Sequence, residues 1–294
     1  QFKHSSFFGT AKHGGVLAFA GDDHANKSST IPHETGPTFA TWHIPVITPA
    51  TVEDVMRLGL LGIQMSRYSG LFSCMKIITN VADAYQSANV DLEAWRPVIP
   101  SAEFDVHARW PDDKFAGEDR IYGQKLPAVQ EFLKHNNFNE VTHNAPEKKL
   151  GIIAVGKSYV DVLTALQRYN IVPEEHGISI LKIGCAFPLE ADKVQKFCFE
   201  HSGGFSNPSS LGILVVEEKT PFVEDQLYKM LYRFSNTPRI HGKDLLSPCL
   251  DFDSYDIARV ILKLLRQKFE DNFDVIPTVD ARQPYYCSGC PHNT

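Results

Sequence analysis

No stretch of this chain is apolar for the roughly 18 residues a membrane span requires, and no block of lysine and arginine appears anywhere in it. With a formal net charge of -6, the chain has no basic face to offer nucleic acid or an anionic bilayer, so neither is expected as a partner. The opening residues, Gln1 to Gly15, carry Lys3, His4, Lys12 and His13 but lack the apolar core of a signal peptide. Asn26-Lys27-Ser28 therefore reads as a chance sequon. Internal repeats of fixed period are absent, and cysteine is sparse: six residues, of which only Cys287 and Cys290 are closely spaced. Cys74, Cys185, Cys198 and Cys249 sit among apolar neighbours and are expected as small core residues. A reducing, cytoplasmic setting follows.

What is present is the composition of a globular core-builder. Of 294 residues, 43% are hydrophobic and 22% charged, enough for about two ordinary domains or one large α/β domain. The chain opens on Gln1 rather than Met and stops at Thr294 just after a cysteine pair, which reads as an internal piece of a longer protein.

Up to about residue 95, short apolar segments alternate with polar loops. The run Gly15 to Ala20 predicts a buried parallel strand leading into Gly21-Asp22-Asp23, and Ile44 to Ile47 and Met75 to Thr79 predict two more. Thr51, with Asp54 three residues on, predicts a helix start. Residues 96–149 are punctuated by Pro97, Pro100, Pro111 and Pro127. They read as a linker with one helix, around Leu126 to His135. From Leu150 to about residue 275 the alternation is regular. Strands are predicted at Leu150–Val155, Ile178–Ile183, Ile213–Val216 and Arg239–His241. Apolar residues at helical spacing lie between them, as in Tyr159, Val162, Leu163 and Leu166, and helices carrying Val194, Phe197 and Cys198, then Val223 to Phe234, then Ile257 to Leu265 follow. Thr220 and Pro221 predict the cap and first position of one of these. Together they predict a doubly wound α/β domain.

Four motifs bear on chemistry. Gly151 to Ser158 matches the phosphate-loop pattern GxxxxGK(S/T), yet the residues between the glycines are Ile152, Ile153, Ala154 and Val155. These belong in a strand, not in an exposed turn of amides, so a plain strand-to-helix turn is expected. Cys287-Ser288-Gly289-Cys290-Pro291-His292 places two thiols within reach of one centre; spacing alone leaves zinc, an iron–sulfur cluster and a redox dithiol open. The loop Gly21 to Thr30 follows a buried strand, where α/β proteins place their sites, although a loop held by its own Asx and Ser/Thr turns is the plainer reading. Adjacent Asp22, Asp23 and His24 rarely converge on one metal ion. Glu217 and Glu218 end a strand as paired acids, a pattern that suits catalysis but more often marks surface charge near a helix start.

Taken in order, several blocks resemble the long, fused indolepyruvate ferredoxin oxidoreductases. They are Gly14 to His24 with Lys27 to Thr30, Met65 to Leu71, Gly156 to Val162, Val215 to Lys219 with Glu224 to Leu227, and Pro284 to Thr294. The resemblance implies an α/β, thiamine-diphosphate-enzyme-like fold. Residues 1–95 would be the C-terminal part of a pyrimidine-binding-type domain, 96–149 a linker, 150–275 a transketolase C-terminal-like doubly wound domain, and 276–294 the start of a pyrophosphate-binding domain. It implies oxidative decarboxylation of indolepyruvate or another aryl 2-oxoacid to an acyl-coenzyme A, with electrons passed to ferredoxin. The implied cofactors are thiamine diphosphate, Mg and an iron–sulfur cluster, with coenzyme A as co-substrate. The implied partners are ferredoxin, the rest of the parent chain and further copies in a homo-oligomer. Cys287 and Cys290 become candidate cluster ligands, and Asp22, Asp23, Lys27, Ser28 and Ser29 a candidate cofactor loop.

The departures are equally plain. The family's acid that activates the aminopyrimidine precedes the region matched here, and this sequence has no Gly-Asp-Gly, so no catalytic residue is assigned and the piece by itself is expected to be inactive. Two other readings remain: a non-catalytic α/β interaction module with the cysteine pair as a zinc clip, and a phosphate-loop nucleotide binder.

Overall fold

Short segments, most of them apolar, form the strands in a computed structural model, which describes residues 1–27, 29–203, 207–249 and 251–268. Ser28, Cys287 and Cys290 lie outside the described residues. Nine strands are described: β1 (Leu17–Asp22), β2 (Val46–Ile47), β3 (Ser73–Ile78), β4 (Asn139–His143), β5 (Leu150–Val155), β6 (Ile178–Ile183), β7 (Cys185–Phe187), β8 (Gly212–Val216) and β9 (Ile240–His241). They form a four-stranded sheet in the order β1-β3-β2-β7 and a five-stranded sheet in the order β4-β6-β5-β8-β9. All pairings are parallel except β7 against β2 and β4 against β6.

The second sheet is wound on both faces. Along β5, Leu150, Ile152 and Ala154 pack with helices Ser158–Arg168 and Ser254–Leu264, while Ile153 points to the other side, against helices Ala191–Glu200 and Phe222–Leu231. Alternation on a strand buried on both faces is why its sequence shows an unbroken apolar run rather than a polar–apolar rhythm. Burying a side chain such as Ile152 or Ile153 stabilises the fold by about 1.5–3 kcal/mol. A third core joins helices Val52–Ser69 and Leu126–His135 to the first sheet through Leu58, Met65, Met75, Phe132 and Phe138.

Helix Val52–Ser69 starts as expected: the Thr51 hydroxyl accepts the Asp54 N–H at 3.1 Å. It ends at Gly70, whose φ of 71° places it in the left-handed region that glycine adopts without strain. The capping of helix Phe222–Leu231 departs from expectation. Thr220 does not cap it; the Glu217 carboxylate accepts the N–H groups of Val223 (2.7 Å) and Glu224 (2.9 Å) instead. The strand end folds back over the helix start, so an acid five residues upstream reaches the free amides first.

Within residues 96–149 the expected helix is present at Leu126–His135. Helix Lys114–Arg120 and a π-helical turn, Ile121–Lys125, run directly into it. Strand β4 follows and is hydrogen-bonded to β6.

The two sheets are joined where β6 becomes β7, with only Gly184 between them. Its N–H donates to the Phe138 carbonyl (3.1 Å) and to Asn139 Oδ1 (3.0 Å), and its carbonyl accepts the Thr48 N–H at 2.8 Å. A Cβ at this position would sit 2.4 Å from the Phe138 oxygen, so only glycine lets the chain pass from one sheet to the other here. The carboxyl ends of β1, β2 and β3 are thereby turned toward those of β5 and β8.

Candidate functional site

Those five strand ends surround a junction lined, among others, by His24, Glu34, Lys76, Lys157, Glu217 and Glu218. Its cavity is about 30 Å³, room for roughly two water molecules. The centre of the junction is His24. Its Nδ1 lies 2.6 Å from Glu218 Oε2, and the other carboxylate oxygen of Glu218 accepts Lys157 Nζ at 3.0 Å. A carboxylate can only accept, so Nδ1 carries the proton of this bond. His24 Nε2 is buried without a hydrogen-bond partner and stands 4.0 Å from Asp22 Oδ2. His24 belongs to the first sheet and Glu218 to the second, 194 residues apart in sequence.

Around this dyad the charges are paired. Lys76 lies 3.2 Å from Glu34 and 4.0 Å from Asp22. Lys157 Nζ also forms an ion pair with Asp161 Oδ2 at 2.9 Å. Lys219 donates to the His24 carbonyl at 3.2 Å. Its φ of 61° is left-handed, a strain of roughly 1–2 kcal/mol for a residue with a Cβ, and it turns the chain between β8 and the following helix.

The environment shifts the acids in opposite directions. Burial pushes Glu217 up to about 7, against the two backbone donors and Lys243 that favour its charged form. Burial likewise pushes Asp161 up to about 6, with Lys157 opposing. For Glu218 burial is also the largest influence, but the hydrogen bond from His24 and the charge of Lys157 overcome it and hold the carboxyl below its ordinary value.

The pairing bears on each candidate from the sequence. Glu217 and Glu218 are not surface charge: they are only 3% and 8% exposed. Asp22 and Asp23 are buried too, but their oxygens are spent on the loop itself. Asp22 accepts from the Thr35 N–H and hydroxyl and from His33, while Asp23 accepts from the Lys27 and Ser29 N–H groups and the Thr79 hydroxyl. Lys27 turns outward to Asn80 at 2.9 Å. The loop is thus held by its own Asx-type turns, and what it delivers to the junction is His24. Among the described residues no group of three His, Cys, Asp or Glu side chains is arranged to hold a metal ion. The phosphate-loop match dissolves in the same way. Ile152 to Val155 are strand, a Cβ on Gly151 would lie 2.5 Å from Ile213, and Lys157 is committed to Glu218.

Three of the cysteines expected in the core are there. Cys74, Cys185 and Cys198 are buried, and burial pushes each thiol up to about 12. Cys249 departs from expectation and is exposed; it lies in the turn-rich stretch between β9 and helix Ser254–Leu264, where no apolar surface covers it. No helix among the described residues is long and apolar enough to cross a membrane.

Of the residues that meet at the junction, sequence reading overlooked Glu34, Lys76 and the pairing of His24 with Glu218 and Lys157. The available signal was positional: His24, Gly156-Lys157 and Glu217-Glu218 each follow directly on a predicted strand, where α/β sheets gather their sites.

Residues 140–279 match the family model described as an indolepyruvate oxidoreductase domain. Over 302 residues the chain is 26% identical to the indolepyruvate oxidoreductase subunit IorA of Pyrococcus abyssi, a match covering 95% of this chain and 43% of that protein. The IorA subunit of Thermococcus kodakarensis is also 26% identical, over 98% of this chain and 44% of its own length. The chain thus spans less than half the length of these relatives. Among solved structures, the 2-oxoglutarate:ferredoxin oxidoreductase from Magnetococcus marinus, with 2-oxoglutarate, coenzyme A and succinyl-CoA bound, superposes with a TM-score of 0.56. It is 13% identical and covers 90% of this chain and 51% of that one; at this identity the likeness is one of fold, and the fold is the expected α/β, thiamine-diphosphate-enzyme-like one. The blocks that carry the resemblance run in order through almost the whole chain, which over residues 140–279 is similar to the indolepyruvate oxidoreductase domain.

Proposed function

We propose that this chain is the central scaffold of a thiamine diphosphate-dependent 2-oxoacid:ferredoxin oxidoreductase that converts indolepyruvate or another aryl 2-oxoacid to an acyl-coenzyme A. The observation that carries the reading is similarity to IorA subunits across 95% of the chain. In this reading residues 1–95 complete a pyrimidine-binding-type domain, 96–149 link it onward, 150–275 are a transketolase C-terminal-like domain and 276–294 open a pyrophosphate-binding domain. Ferredoxin accepts the electrons, Cys287 and Cys290 ligate an iron–sulfur cluster, and the enzyme works as a homo-oligomer.

Thiamine diphosphate, where bound, supplies the carbanion chemistry of such enzymes. The junction does not fit it: a cavity of about 30 Å³ takes water, not a diphosphate, and no three ligating side chains converge on a metal among the described residues. The role of the junction is therefore to fix the two sheets against each other. His24 and Glu218 form a hydrogen-bonded link between them, Lys157 holds the carboxylate, and Gly184 provides the covalent crossing. The activating acid and the Gly-Asp-Gly stretch that binds magnesium diphosphate would come from sequence beyond these 294 residues.

Two assays test this. The 294-residue chain should show no 2-oxoacid-dependent dye reduction, and turnover by it would refute a scaffold role. A polypeptide that extends the chain on both sides to the length of its relatives should reduce ferredoxin with indolepyruvate and coenzyme A. Failure with every 2-oxoacid tried would remove the enzymatic reading.

A further inference from the structure

Helix Val52–Ser69 leads away from the junction, and at its far end residues 99–107 cross its last turn. With Lys12 and His13 they enclose a groove of about 640 Å³, within the range of roughly 300–1,000 Å³ typical of small-molecule sites. The floor is apolar: Tyr68 and Phe104 meet edge to face at 6.1 Å, flanked by Ile99 and Pro100. The rim carries the cations Lys12 and Arg67 together with His13 and His107, and Glu103 is the single acid among the described residues that line it.

The cations here lack the partners found everywhere in the junction. Among the described residues, neither Lys12 nor Arg67 forms an ion pair. Arg67 Nε is buried without an acceptor, and Nη1 reaches only Gln64 Oε1 at 3.4 Å. The ring of His107 is only partly buried and lies beside the Thr10 carbonyl. Burial lowers the pKa of His107; the charges of Lys12 and His13 lower it further, while the Thr10 carbonyl and Asp105 oppose them. Asp105 does not neutralise the groove, since Arg109 holds it at 2.7 Å.

The groove is built in advance. Tyr68 donates to the Ala102 carbonyl at 2.7 Å, the Thr10 N–H to Gly70 at 3.0 Å and the Ala108 N–H to Thr10 at 2.9 Å. At Gly70 any Cβ would lie 2.2 Å from the Val106 oxygen, so glycine is what lets the strap lie on the helix end.

We propose that this groove binds an organic phosphate, with the phosphate on Arg67 and Lys12 and a ring system against Tyr68 and Phe104. The guanidinium fork suits two phosphate oxygens and the lysine adds a point charge. A multiply charged anion matches the two full cations, Lys12 and Arg67, better than a single carboxylate does.

The test is calorimetric titration of the 294-residue chain with ADP and with inorganic pyrophosphate at low salt. ADP should bind, more tightly than pyrophosphate because only ADP has a ring for the apolar floor, and added salt should weaken it. Arg67→Ala should weaken ADP about tenfold, the loss expected for one charge-assisted hydrogen bond, and Lys12→Ala should weaken it less. Both variants should keep the circular dichroism and melting temperature of the parent, which shows that the loss is not unfolding. No binding of ADP, or unchanged affinity in the double variant, overturns the site. Pyrophosphate binding as tightly as ADP overturns the assignment of an organic ligand.

Discussion

The junction between the sheets and the groove at the far end of helix Val52–Ser69 are made of the same residue types, arranged to opposite ends. In the junction Lys76, Lys157 and His24 each face a carboxylate within 4.0 Å, and the cavity admits only water. Among the described residues Lys12 and Arg67 in the groove face no carboxylate at such a distance, and the space is some twenty times larger. Charges that pair within one chain fasten elements together. Charges left unpaired beside an apolar floor are available to something else. Burial decides how strongly each arrangement counts, since the attraction between two charges grows as water is excluded from around them.

Four measurements would break or sharpen that contrast. The largest effect is expected for Glu218→Ala, which strands His24 and Lys157 in the junction without their shared partner. Loss of one member of a buried ion pair costs about 3–5 kcal/mol, to be read as a fall in the urea midpoint; a change under about 1 kcal/mol would show that the junction is not a fastening. Next is His24→Ala, expected to cost about 1–3 kcal/mol through the unsatisfied Glu218 oxygen.

Glu217 supplies a pH test. Its folded pKa is raised to about 7, so between about pH 4.3, the ordinary glutamate value, and 7 the folded state holds a proton that the unfolded chain has lost. Stability should therefore fall as pH rises through that window. Asp161, raised to about 6, adds to the same slope, and Glu218, whose pKa is lowered, opposes it at the acidic end. Urea unfolding of Glu217→Gln across the window should show a flatter profile, and an unchanged slope would assign the titration elsewhere. The smallest effect belongs to the groove. Arg67→Ala and Lys12→Ala should leave stability within about 0.5 kcal/mol of the parent, because among the described residues the hydrogen-bond partner lost is only the 3.4 Å contact of Arg67 with Gln64; a large loss would show hidden pairing and erase the contrast.

The strands of the second sheet were legible because β5, β6 and β8 are buried on both faces and spell unbroken apolar runs. Strand β4, Asn139-Glu140-Val141-Thr142-His143, was not: it has one apolar residue, and its place at a sheet edge follows from hydrogen bonds to β6 rather than from its own pattern. Strand β7 is three residues long and pairs with β2, more than 100 residues earlier. The cap on helix Phe222–Leu231 was misread for a related reason, since Thr220 is the nearer and more usual capping residue while the fold at Lys219 brings Glu217 there instead. Cys249 was read as core from its neighbours along the chain, which are not its neighbours in space.

By itself the sequence determined the alternation of strand and helix, the cap at Thr51, the strand placement of Ile152 to Val155 and the family blocks. All of these depend on residues within a few positions of one another, where backbone geometry fixes who meets whom. Only the tertiary structure decided that Glu218 faces His24 and Lys157, that Glu217 is buried, and that Arg67 and Lys12 share a groove. Those outcomes depend on the passage of the chain through Gly184 and on which sheet edges meet. Charge pairing acts through space over a few ångströms, so residues nearly 200 apart in sequence become partners only once the packing has brought them together.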